Sequence, residues 1–224
     1  ARHEWLLTDG ALLEGATVEH RFEVQGRYGL RLLVIDDSGH PCRSAAAQAV
    51  VTVNAPPRAV AGPDLRVAAG ETFTLDGGES ADPDGALASF AWTIEPLANG
   101  GAPVATLSGE RVEHAVETPG LYRVTLTVDD GTGVANATDA DDLILTVNAP
   151  PVAEAGPEIS VAIGDLAPLD ASASRDPDGA IRRYAWDLGN GDRVEGRAPS
   201  YAFQREGVYD VTLTVEDDSG LANA

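Results

Sequence analysis

Two acidic turns carry the residues best suited to chemistry in this chain. Asp82-Pro83-Asp84-Gly85 returns as Asp176-Pro177-Asp178-Gly179, each time setting two carboxylates two residues apart. A carboxylate pair can hydrolyse a glycoside, provided the groups flank a cleft at roughly 5 to 9.5 Å. Duplication of the pair argues against that, because a unique active site does not come in copies. Two readings stay open. The aspartates could ligate calcium, which takes six to eight oxygens, or they could be turn residues, with Pro presetting φ, Asp capping and Gly supplying positive φ.

Other reactive types offer less. His3, His20, His40 and His114 have no zinc-ligand spacing. His20 and His114 align with each other and with Tyr201, and a position that accepts His or Tyr is a packing position. The single cysteine, Cys42, permits no internal disulfide. No phosphate loop, nucleophile elbow or HExxH motif occurs. All 15 basic residues are Arg, against 36 acidic residues, giving a formal charge of −21. Such a chain is repelled by nucleic acid and by anionic lipid, and suits calcium, a cationic surface or a salty medium. The Ala, Gly, Pro and Arg bias equally fits high-GC coding. No run of 18 apolar residues occurs, so no membrane-spanning helix is expected. No signal-peptide pattern stands at Ala1, so the expectation is a chain that starts after processing or inside a longer polypeptide.

The elements that must hold the acidic turns are set by a repeat. The string NAPP at 54–57 recurs 94 residues on, as do Ala61-Gly62-Pro63, the acidic turn and Trp92, which maps onto Trp186. Beyond the tryptophan the shift falls to 87, carrying Gly120-Leu121-Tyr122 onto Gly207-Val208-Tyr209, so the middle copy holds seven extra residues around 96–103. A third copy begins at its tryptophan strand. Trp5, Tyr28 and Asp36 match Trp186, Tyr209 and Asp217 at a shift of 181. The expected domains are 1–53, the C-terminal part of one module; 54–147, a complete module; and 148–224, a module without its last strand. The array reads as a window on a longer one.

Within each copy the periodicity is that of strands. Tyr209, Val211, Leu213 and Val215 alternate with polar residues, as do Tyr122, Val124, Leu126 and Val128, and Tyr28, Leu30, Leu32 and Val34. Turn signals punctuate the runs at Asp9-Gly10, Asn99-Gly100 and Asn190-Gly191. About seven short strands per module predict a two-sheet antiparallel sandwich. The tryptophan and tyrosine of each copy (Trp5 and Tyr28, Trp92 and Tyr122, Trp186 and Tyr209) then read as core rather than as a glycan-stacking platform. Asp130 and Asp217 continue the inward parity of their strands where no core remains to fill, and Asp36 stands at the same place in the first copy. At the joints, Pro56-Pro57 and Pro150-Pro151 favour an extended, semi-rigid connection.

The pattern NAPP…AGP…DPDG…(F/Y)AW…GxYxVxLxVxD resembles the consensus of PKD (polycystic kidney disease) domains, and Trp186-Asp187-Leu188-Gly189-Asn190-Gly191 is similar to that family's hairpin. The middle copy departs at Trp92-Thr93-Ile94-Glu95-Pro96, and the first has Trp5-Leu6-Leu7-Thr8-Asp9-Gly10. The acidic turn also resembles the opening of an EF-hand loop, without that loop's third oxygen residue or later Glu. The resemblance implies an all-β fold of tandem immunoglobulin-like sandwiches. In PKD-like modules of secreted collagenases, an Asn at the module start and the Asp-x-Asp turn bind calcium. By position this implies Asn54, Asp82 and Asp84 in one module and Asn148, Asp176 and Asp178 in the next, with Asp130 and Asp217 as further ligands.

These readings converge on a non-enzymatic extracellular or cell-surface segment, a semi-rigid spacer or adhesion stalk. Its expected partners are neighbouring modules, other protein subunits or surface polysaccharide, with no nucleic acid and no direct membrane insertion. The alternative is an accessory polysaccharide- or protein-binding region of a secreted hydrolase.

Overall fold

The computed structural model describes residues 1–38, 44–98 and 102–221; His40, Cys42 and the Asn99-Gly100 turn lie outside them. Every named element is a strand. The first module contributes β1 (Arg2–Leu7), β2 (Leu12–Glu14), β3 (Gly26–Ile35) and β4 (Ser44–Val53), which form one sheet in the order β2-β1-β3-β4. The second contributes β5 (Leu65–Ala68), β6 (Thr72–Asp76), β7 (Ser89–Pro96), β8 (Ala105–Ser108), β9 (Arg111–Ala115), β10 (Gly120–Asp129) and β11 (Thr138–Asn148). They make a five-stranded sheet, β5-β11-β10-β7-β8, facing a two-stranded one, β6-β9. The third contributes β12 (Leu166–Pro168), β13 (Ile181–Asp187), β14 (Arg193–Glu195), β15 (Ser200–Ala202) and β16 (Thr212–Asp217), arranged as β12-β15 and β14-β13-β16. The strand pairs are antiparallel except β5 with β11, which run parallel over Leu65–Ala68 and Leu145–Asn148.

Alternation along β10 puts Tyr122, Val124, Leu126 and Val128 inside, and its antiparallel register sets Leu126 opposite Trp92 on β7. Phe73 and Leu75 close over them from the facing sheet. The third module repeats this with Trp186 opposite Leu213, and the first with Trp5 opposite Leu32. Trp92 is 0% exposed and Trp186 1%, so both are core. Trp5 is half-buried, because among the described residues no second sheet faces β1 and β3.

Each indole still needs a partner for its N–H. It finds one in a backbone carbonyl at 3.0–3.1 Å, from Gly15, Gly109 and Gly196 in turn. Each tyrosine hydroxyl donates to the carbonyl four residues upstream, at 2.8, 2.7 and 3.0 Å for Tyr28, Tyr122 and Tyr209. This is the tyrosine corner of immunoglobulin-like sandwiches. The recurring Trp and Tyr thus hold the frame on which the acidic turns sit.

Candidate functional site

The second module's acidic turn lies between β6 and β7, held by a single antiparallel bridge. Arg58 N donates to Ala81 O at 2.7 Å and Ala81 N to Arg58 O at 3.0 Å. The third module does the same with Val152 and Arg175, at 2.7 and 3.0 Å. These bridges pin the chain just after each proline pair against the aspartate turn. The aspartate at the end of the long strand, Asp130 just past β10 and Asp217 as the last residue of β16, arrives from the other side. In this way the fold gathers residues from three separate stretches at the start of each module.

The contacts are nearly the same in both copies. Asn54 Nδ2 donates to Asp130 Oδ2 at 2.6 Å, and Asn148 Nδ2 to Asp217 Oδ2 at 2.8 Å. Each amide also donates to the carbonyl of the following alanine, at 2.8 and 2.9 Å. Asp84 Oδ2 accepts from Ala55 N at 3.1 Å, and Asp178 Oδ2 from Ala149 N at 2.9 Å. Thr132 and Ser219 donate both N–H and hydroxyl to Oδ1 of the strand-end aspartate. Asp36 and Ser38 repeat that motif in the first module. Among the described residues no three acidic or histidine side chains stand close enough to hold a metal ion between them in this arrangement.

The electrostatics divide the aspartates into two kinds. Burial pushes Asp217 up, but the Ser219 hydroxyl, the Asn148 amide and the Ser219 N–H together bring its carboxyl below the usual value. Asp130 is also held below it, first by the Thr132 hydroxyl and then by Asn54. Asp82 and Asp176 move the other way. Burial raises each, and the neighbouring carboxylates raise it further: Asp84 and Asp130 in one module, Asp178 and Asp217 in the next.

Two features set the third module apart. Asp176 Oδ2 is closed off from solvent and meets no hydrogen-bond donor. A methyl placed on Gly179 would lie 2.6 Å from that oxygen and 2.7 Å from Asp218 Oδ1. In the second module a methyl on Gly85 would lie 2.7 Å from Asp82 Oδ2. This corrects the turn reading of both glycines: neither lies in the left-handed region. They are glycine because a Cβ would strike the carboxylate.

All eight expected site residues therefore stand at the two module starts, four at each. Sequence reasoning missed Asp218, Thr132, Ser219 and Asn136, whose Nδ2 donates to Asn54 O at 3.0 Å. The recurrence of Ser38, Thr132 and Ser219 two residues after the strand-end aspartate was a signal that could have found the hydroxyls.

A family model described as "PKD domain" matches residues 1–53, 54–145 and 148–224. The mouse dyslexia-associated protein KIAA0319-like protein is 28% identical over 98% of the chain, which spans 21% of that relative. Collagenase ColA of Clostridium perfringens is 31% identical over 53% of the chain and 10% of its own length. The pre-pro-metalloprotease PrtV of Vibrio cholerae is 38% identical over 34% of the chain and 8% of its own. The chain thus spans about a fifth or less of these relatives. Among solved structures, the chicken CNTN1 FN1-FN3 domains align over 97% of the chain and 83% of their own length, at 9% identity and a TM-score of 0.35.

Proposed function

The chain belongs to the PKD domain family, and from that premise we propose that it is a semi-rigid, non-catalytic spacer whose module joints are stiffened by calcium. Its modules are of the extracellular, immunoglobulin-like kind. The observation that carries the spacer reading is the double duty of Asn148. Its backbone ends β11, paired with Ala68 of the second module, while its side chain donates to Asp217 of the third. No spacer residue separates the two modules. A flexible linker would decouple them; a shared residue does not.

Calcium is the cation whose chemistry suits these joints, being a hard ion bound by carboxylate, amide and backbone oxygens. The orphaned Asp176 Oδ2 and the cradle over Gly179 support a fit in the third module. There Asn148, Asp176, Asp178 and Asp217 would hold the ion, and Asn54, Asp82, Asp84 and Asp130 would do so in the second. Bound calcium supplies positive charge that lets clustered carboxylates stay ionised together. The Asn148 amide also favours the ionised form of Asp217, to which it donates.

The test is small-angle scattering and thermal unfolding of the whole chain in millimolar calcium or in chelator, at matched ionic strength. The expected result is a higher melting temperature and a narrower distribution of end-to-end lengths with calcium. Equal melting would remove calcium from the proposal, and a broad length distribution in both states would remove the spacer. An accessory binding region would instead retain polysaccharide or collagen in a pull-down.

A further inference from the structure

We propose that two copies of this chain associate through the outer face of the first module's sheet, related by a two-fold axis that runs along β1. The inference goes beyond the spacer reading and does not depend on calcium.

The face follows from the register. Residues directly opposite each other in antiparallel strands point to the same side of the sheet. Leu12, Leu6, Arg31 and Gln48 therefore form one row across β2, β1, β3 and β4, and Glu14, Glu4, Leu33 and Ala46 form the next. Trp5, Leu13 and Leu32 lie on the opposite, core side.

This outer face departs in chemistry from those of the other two modules. Leu6 stands where they carry Thr93 and Asp187, Leu33 where they carry Thr127 and Thr214, and Ile35 where they carry Asp129 and Glu216. At the position of Gly29 they have Arg123 and Asp210, whose side chains cover the strand. The glycine leaves an open dent of about 520 Å³ bordered by Leu6, Val50 and Arg31. Leu6, Leu12 and Val50 are exposed, and a contiguous apolar face in water marks an interaction site.

Charge identifies the occupant as a second copy. The first module has five arginines against seven carboxylates, a net −2 of the chain's −21, so two copies repel each other least there. In the second module Arg123 pairs with Asp142 at 3.8 Å, but the residue equivalent to Asp142 is Gln48. Among the described residues Arg31 has no carboxylate partner and Glu14 no cation, whereas Glu4 is paired with Arg2 at 2.6 Å. Arg31 on β3 and Glu14 on β2 stand on either side of β1. A two-fold axis along β1 exchanges those sides and carries Arg31 of each copy towards Glu14 of the other. It also brings the exposed Leu12 of β2 towards the dent over Gly29 of β3. One face meets itself, as an isologous dimer requires.

Sedimentation velocity of the whole chain tests this, in chelator and at about 0.15 M salt, where repulsion is screened beyond about 8 Å. A monomer–dimer equilibrium is expected, shifting to dimer as concentration rises. Arg31→Glu and Glu14→Arg should each weaken it by about tenfold or more, because like charges then face each other twice. Mixing the two variants should restore the dimer, since every facing pair is opposite again, and that restoration also excludes misfolding as the cause of the loss. Should near-ultraviolet circular dichroism show either variant misfolded, Leu6→Thr, which gives the residue type of the second module, should weaken the dimer instead. A chain that stays monomeric up to about 0.1 mM leaves the face to a different protein or to polysaccharide and overturns the inference. An open-ended series of oligomers, or a dimer indifferent to these substitutions, overturns it equally.

Discussion

At the scale of single residues, Asn148 is where the joint is most exposed to change. Asp217 is 4% exposed, and among the described residues the side chains of Asn148 and Ser219 donate to it. Removing one partner of a buried charged acceptor costs about 1 to 3 kcal/mol. Asn148→Ala should therefore lower the stability of the third module by about that much, read as a shift in its urea midpoint without a change in slope. Asn148→Asp should cost more in chelator than in calcium, since it sets a second carboxylate against Asp217. Acid sensitivity is shared by Asp217, Asp130 and Asp36, whose carboxyls lie below the usual value, and by three more aspartates. Asp9, Asp170 and Asp187 each accept a backbone N–H two residues on, from Ala11, Ser172 and Gly189, and each carboxyl lies below its usual value chiefly for that reason. A folded-state value below the unfolded one stabilises the fold above the unfolded value, about 3.9, and the contribution fades as pH falls through the folded one. Melting should accordingly fall below about pH 4, and replacing all three by Asn should lessen that fall without removing it, since Asp36, Asp130 and Asp217 still contribute. Asn148 and Asp217 were legible because the repeat prints them twice. Asp218 was not, because its column reads Asp37, Gly131, Asp218 and no column analysis reveals an oxygen facing a glycine from across a loop.

At the scale of elements, alternation foretold strands that the fold does not always use. Tyr209 and Val211 alternate like Tyr122 and Val124, yet β16 begins only at Thr212, whereas β10 begins at Gly120. The first half of β10 pairs with the second half of β11 and with the end of β7. Among the described residues the third module has no counterpart of β11, and its β13 stops at Asp187. The same lack leaves residues 159–162 outside any strand, although they align with β5, which β11 pairs in parallel. Periodicity announces a face to be buried; a strand also needs a partner for its backbone. Ile159 and Val161, which align with Leu65 and the buried Val67, are accordingly exposed, at 44% and 42%. Fusing a copy of residues 138–148 after residue 224 should raise the melting temperature of the third module and protect amides 209–211 from hydrogen exchange. Unchanged protection would mean that those residues resist pairing for some reason of their own. A second element-scale feature was hidden from the pattern. Asp139 and Asp141 keep the inward parity of β11, and their Oδ2 atoms accept the amides of Ala59 and Ala61 at 2.8 and 2.9 Å. The first module has Ala45 and Ala47 at those positions. Replacing Asp139 and Asp141 together by Ala should speed exchange at amides 59 and 61 and leave the β10–β11 ladder protected.

At the scale of the whole molecule, the question is whether the modules behave as one body or as beads. The charge of −21 makes modules repel one another, and repulsion stretches a flexible chain most at low salt, when screening is weakest. A chain jointed through shared residues has little slack to stretch. Asn148 belongs to β11 and to the third module's polar cluster at once, and Val152, pinned to Arg175, follows within a few residues. Changing salt from 20 mM to 500 mM should thus leave the scattering-derived maximum dimension nearly constant. The contrast is a variant with Gly-Ser-Gly-Ser inserted between Val147 and Asn148. It keeps the Asn148–Asp217 bond and the core of each module but separates the strand end from the cluster. Four flexible residues have a root-mean-square span of about 10 to 12 Å, enough for the modules to reorient freely. The inserted variant should show a broad distribution of lengths that contracts as salt rises, and it should lose any stiffening by calcium while still binding the ion. If the variant and the original chain respond alike to salt, the joint was already loose, and the rigidity inferred from Asn148 does not extend beyond that residue's own hydrogen bonds.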